Sequence, residues 1–117
     1  MNKDEFEKLV LEAIKEIPVK FRHRMENVEI TVEDRPSQEI LEKQGIAQGS
    51  LLLGLYQGVP ITKRTTYYTN VLPDKITIYQ ENVEKITSGE KNLKETIKRV
   101  IIHEIGHYYG LGEEDMK

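Results

Sequence analysis

Two amphipathic segments enclosing a run of short strands predict an α+β fold for this 117-residue chain. The opening segment repeats apolar residues at helical spacing, the middle of the chain alternates apolar with polar residues, and the closing segment returns to helical spacing. Strands grouped between helices argue for a small sheet with helices packed on it. With 117 residues, 38% of them hydrophobic, the chain can bury one core but not two, so residues 1–117 read as a single domain.

Phe6, Leu9, Val10, Ala13, Ile14 and Ile17 recur at i, i+3, i+4 and i+7, which predicts a helix over residues 3–17. Asn2 followed by Glu5 fits a capping box, and Pro18 supplies the stop. Val28, Ile30 and Val32 alternate with Glu29, Thr31 and Glu33, the pattern of a strand with one wet face. Pro36 then starts a short helix through Lys43, ended by Gly45. Residues 51–57, apolar on both faces, suit a central strand. Gly58 and Pro60 punctuate a turn into Ile61, and the tyrosine- and threonine-rich segment Thr65–Thr69 reads as a further strand. Pro73 and Asp74 turn the chain into a last alternating strand carrying Ile76, Ile78 and Gln80.

The final helix is expected from Asn92 to Tyr109, with Asn92 and Glu95 as a second capping box. Leu93, Ile97, Val100, Ile101, Ile105 and Tyr108 share one face of it at about 100° per residue. His103 and His107 lie along one border of that face, four residues apart, so both imidazoles reach one metal ion. Glu104 points into the middle of the apolar face, where an unpaired carboxylate is costly. That placement calls for a partner, either water on a metal or a hydrogen-bond donor. Gly110 ends the helix and returns the chain, bringing Glu113 towards the ion, with Glu114 and Asp115 as neighbouring alternatives. Three protein ligands and one open position is the arrangement of catalytic zinc. One Zn2+ per chain is therefore expected on His103, His107 and Glu113.

Composition narrows the partners. A net charge of −3 and a pI near 5.7 do not favour nucleic acid, and the one dense basic cluster, Lys20, Arg22, His23 and Arg24, has little aromatic interleaving. His23 reads as a surface histidine in a charged connector. There is no cysteine, which excludes disulfides and thiolate-bound zinc. No apolar run approaches the roughly 20 residues a membrane span needs, so no membrane partner is expected. The first residues lack the marks of a secretion signal, and cytoplasm is the default localisation.

On these residues the chain resembles the zincin-like metallopeptidases, in particular the small bacterial family of possible zinc metallopeptidases described as minimal zincins. The likeness rests on His103, Glu104, His107, Gly110 and Glu113, on Leu53 to Pro60 and Leu72 to Ile76, and on the opening helix, Ile17-Pro18 and Asn27-Val28. It implies a mixed sheet packed on the active-site helix, with metal at that helix's C-terminal end. By the same likeness Lys75 to Gln80 is either an edge that accepts an extended peptide by strand addition or an ordinary paired strand. Two departures stand out. The small family usually places Asp where Glu113 stands, and Met116 lies too close to the end to form the methionine turn of the larger metzincin group.

The expected function is zinc-dependent hydrolysis of peptide bonds in a peptide or protein substrate, with Glu104 as general base. Tyr67, Tyr68, Tyr108 and Tyr109 carry hydroxyls suited to an oxyanion, but each also reads as a packing or strand-surface tyrosine. The rival reading is a metal-binding, partner-specific regulator with little or no general proteolysis. A broad peptidase degrades unfolded casein; a regulator ignores it.

Overall fold

The computed structural model describes residues 1–58 and 73–108. Helix α1 spans Lys3–Lys15 and starts on the expected capping box: the Asn2 side chain accepts from the Glu5 amide at 2.8 Å, and Glu5 Oε1 accepts from the Asn2 amide at 3.2 Å. Pro18, which lacks an N–H and disfavours a helical residue before it, stops the helix close to its expected end. Pro18 in turn opens a four-residue helix, α2 (Val19–Arg22), followed by a 3-10 turn at His23–Met25. Elements this short carry almost no periodic signal, so the sequence shows only a charged connector. Phe21, fully buried, anchors it.

Strand β1 (Val28–Glu33) is as expected. Helix α3 (Gln38–Lys43) starts two residues beyond Pro36 because Ser37 has the oxygen that caps it, accepting from the Ile40 amide at 3.1 Å; Gly45 follows with φ 64°.

Among the described residues, strands β2 (Gly54–Gln57) and β3 (Asp74–Tyr79) complete a three-stranded mixed sheet in the order β1-β3-β2. β1 runs parallel to β3, with Val28 opposite Asp74 and Glu33 opposite Tyr79. β2 runs antiparallel to β3, with Gly54 opposite Ile78 and Gln57 opposite Lys75. One open choice about position is thereby decided, and one expectation is corrected. β3 is the central strand, paired on both sides, and is not an edge open to peptide addition. Its outward positions are also buried: Thr77 shares a 3.3 Å hydrogen bond with the Thr31 hydroxyl, and Tyr79 is enclosed. Conversely, residues 51–57 do not form a central strand. Only Gly54–Gln57 is strand, and among the described residues it pairs on one side alone. The leucines before it are tied elsewhere, Leu52 O accepting from Asn82 Nδ2 at 2.8 Å and Leu53 O from the Tyr79 amide at 3.0 Å.

β3 passes directly into helix α4 (Gln80–Ile86), so Gln80 belongs to a helix rather than to the strand. Gly89, at φ 82°, then turns the chain into α5 (Glu90–Tyr108). The second capping box does not form. The helix begins before Asn92, whose Nδ2 donates to Ser88 O at 2.9 Å, while the Leu93 amide donates to Gly89 O. Leu93, Ile97, Val100, Ile101 and Ile105 are buried as expected, in one core with Phe6, Leu9, Val10 and Ala13 of α1 and Ile76 and Ile78 of β3. Lys94 and Lys98 reach Glu16 at 2.6 and 3.4 Å, fastening α5 to the end of α1. The turn into Ile61 and the strand expected at Thr65–Thr69 lie outside the described residues. Among those described, no helix is long and apolar enough to cross a membrane.

Candidate functional site

The last turns of α5 leave the core on one side and open to solvent on the other. His103 and His107 are both exposed on the open side, their ring centroids 4.0 Å apart and the rings tilted by 57°. A zinc ion sits about 2.0–2.1 Å from a histidine nitrogen, a reach that lets one ion bridge this pair. Glu104, between them in sequence, is half-buried, and its Oε1 accepts from the Tyr56 amide at 3.0 Å. Burial pushes the Glu104 carboxyl above its ordinary range, opposed by the Tyr56 amide and by the neighbouring His107 and His103. The partner demanded by a carboxylate on this face is thus a backbone donor of β2.

Gly54 makes that contact possible. A Cβ on it would lie 2.6 Å from Val100 Cγ1 and 3.2 Å from the Thr77 carbonyl, with Glu104 Cγ at 3.7 Å. Without a side chain here, β2 approaches α5 closely enough for the Tyr56 amide to meet Glu104. Tyr56 is held in turn. Its hydroxyl donates to Asp74 Oδ2 at 2.7 Å, and its ring stacks on Tyr108 with centroids 4.0 Å apart and planes 16° apart. The Tyr108 hydroxyl lies against Gly58, 2.8 Å from where a Cβ would stand.

Of the residues singled out in the sequence, His103, Glu104 and His107 come together. Glu113, with Glu114 and Asp115, lies outside the described residues, as do Tyr67, Tyr68, Tyr109 and Gly110. Among the described residues no three His, Cys, Asp or Glu side chains cluster as a metal site. The two imidazoles and the adjacent carboxylate nevertheless suit a zinc ion that takes its remaining protein donor from elsewhere. Tyr108 is half-exposed and stacks on Tyr56. His23 is a surface residue as expected, 3.5 Å from Glu26.

Gly54, Tyr56 and Asp74 acquire roles that periodicity did not assign them. Gly54 carried a readable signal, since glycine inside an apolar strand often marks a close backbone approach. Nothing local identifies what approaches it.

A histidine-bearing helix laid against a small mixed sheet, with its glutamate on a strand amide, defines a zincin-like architecture. Residues 25–117 match the zincin-like metallopeptidase family, and the chain belongs to it. No curated protein matches significantly. Among solved structures, the chain is similar to a conserved hypothetical protein from Thermus thermophilus, with a TM-score of 0.59 and 17% identity over 93% of this chain and 94% of that one. At that identity the likeness is one of fold.

Proposed function

We propose that this protein is a zinc-dependent peptidase in which His103, His107 and Glu113 hold one metal ion and Glu104 is the general base. The observation that carries this reading is the position of Glu104, half-buried beside two exposed imidazoles and fixed through one oxygen by the Tyr56 amide. Zinc, when bound, polarises a carbonyl and brings the pKa of a coordinated water towards neutrality. The chain's own contribution is proton transfer. With Oε1 on the Tyr56 amide, Glu104 Oε2 takes the proton of the attacking water and passes it to the leaving amine.

The test combines metal analysis with hydrolysis of casein and of a diverse peptide library by protein purified without chelator. One zinc per chain is expected, lost in His103→Ala and His107→Ala. Glu104→Gln retains the metal and loses at least about a hundredfold in rate, since an amide cannot accept the proton. Stoichiometric zinc in His107→Ala removes the metal assignment. Wild-type rates in Glu104→Gln remove the general base. Zinc without hydrolysis in either protein favours the partner-specific regulator.

A further inference from the structure

A cleft of about 480 Å³ opens beside the histidine pair, between α5, the end of α4 and the leucines preceding β2. His103 and Glu104 form part of its wall, so it is continuous with the candidate site. Its other walls are chiefly aliphatic. Leu51 and Ile86, 43% and 53% exposed, both face this hollow. Large aliphatic side chains left in water on two sides of one groove mark a surface that gains by being covered.

Among the described residues, one charged side chain away from the candidate site stands on the wall. Arg99 is exposed and has no ion pair or hydrogen bond among the described residues. Lys94 and Lys98 on the same helix differ, because both are engaged by Glu16. Arg99 precedes His103 by four residues and so lies on the same strip of the helix, about 6 Å along the axis. An extended peptide advances about 3.3–3.6 Å per residue. A ligand whose reacting carbonyl lies at the histidines therefore brings a group to Arg99 within about two residues.

We propose that this cleft is the specificity subsite of the enzyme and binds a large aliphatic side chain next to the scissile bond, with a carboxylate immediately beyond it paired to Arg99. The assignment rests on the peptidase reading for the position of the scissile bond. The carboxylate is either an Asp or Glu side chain or the free C-terminus of a short peptide, since both present the planar pair of oxygens that a guanidinium engages. Aliphatic contacts supply most of the discrimination, because one methylene in an apolar pocket is worth roughly tenfold or more. The exposed charge pair adds about fivefold at most.

The experiment measures binding of short peptides to the zinc-loaded full chain carrying Glu104→Gln, alongside their hydrolysis by the protein with Glu104 intact. The peptides pair Leu or Ala with Glu, Gln or Lys at the next position, each as free acid and as C-terminal amide. Leu-Glu is expected to bind at least tenfold more tightly than Ala-Gln. Arg99→Gln abolishes the preference for the carboxylate, Arg99→Glu turns it towards Lys, and Leu51→Asp abolishes the preference for Leu. Loss of affinity on amidation alone, with Glu and Gln equivalent, assigns the carboxylate to the C-terminus; the converse assigns it to the side chain. An unchanged peptide ranking in Arg99→Glu overturns the proposal, whether or not the peptides are cleaved. Binding with the expected ranking but without hydrolysis retains the subsite and ends the peptidase reading. Hydrolysis without the ranking does the reverse.

Discussion

A methyl group on Gly54 meets Val100 Cγ1 and the Thr77 carbonyl at 2.6 and 3.2 Å, and neither can yield easily. Val100 is buried on α5, and the carbonyl belongs to the backbone of the central strand. The substitution Gly54→Ala must therefore push β2 off the helix and lengthen the hydrogen bond from the Tyr56 amide to Glu104. A cost of about 1–3 kcal/mol is expected from this overpacking, together with slower hydrolysis. Gly58→Ala should cost less, because the atoms it meets belong to the half-exposed side chain of Tyr108 and not to backbone or core, so the main loss is part of the Tyr108 stack on Tyr56. Denaturant midpoints of the two variants check this, and equal stability of Gly54→Ala and wild type would mean that β2 does not press on α5. At this scale the sequence was legible where the geometry is local. Four residues on a helix bring His103 and His107 to one side, and a carboxylate on an apolar stripe announces a need. The identity of its donor, Tyr56, depends on how a distant strand docks, which no local pattern records.

Long elements were legible and short ones were not. α1 and α5 run through several turns, and β1 alternates between a wetter face and the core, so period alone reveals them. α2 and α4, of 4 and 7 residues, span at most two turns and escaped. β3 was recognised as a strand but its place in the sheet stayed open between a paired strand and an edge, because neighbours are set by docking. The paired reading holds, with Thr77 bonded to Thr31 and Tyr79 enclosed. The two capping boxes make the distinction measurable. Asn2 caps α1 through its side chain, whereas Asn92 lies inside α5 and bonds back to Ser88. Asn2→Ala should cost about 0.5–2 kcal/mol, and Asn92→Ala no more than a few tenths, as for an ordinary exposed position. Equal losses in equilibrium unfolding would place the start of α5 at Asn92 after all.

At the scale of the whole molecule, α5 serves the core and the site together. Ile97, Ile101 and Ile105 are fully buried on the helix that presents His103 and His107 to solvent. A ligand that fastens the last turns of α5 therefore stabilises the element on which the core closes. Zinc bound by the folded chain and not by the unfolded one adds about 2.7 kcal/mol at a hundred times its Kd, which for a domain of this size raises Tm by roughly 10 °C. The same measurement tests the third ligand. At fixed pH and zinc, Glu113→Gln should weaken binding by about tenfold or more, since even groups behind the ligands reach that range, and so remove at least about half of the thermal shift. Glu114→Gln and Asp115→Asn should retain it in full. A shift that survives His107→Ala would show that the ion acts away from the helix. A shift lost in Glu114→Gln or Asp115→Asn but kept in Glu113→Gln would mean that the chain leaves α5 by a path other than the turn expected at Gly110, and that the neighbouring carboxylate is the ligand.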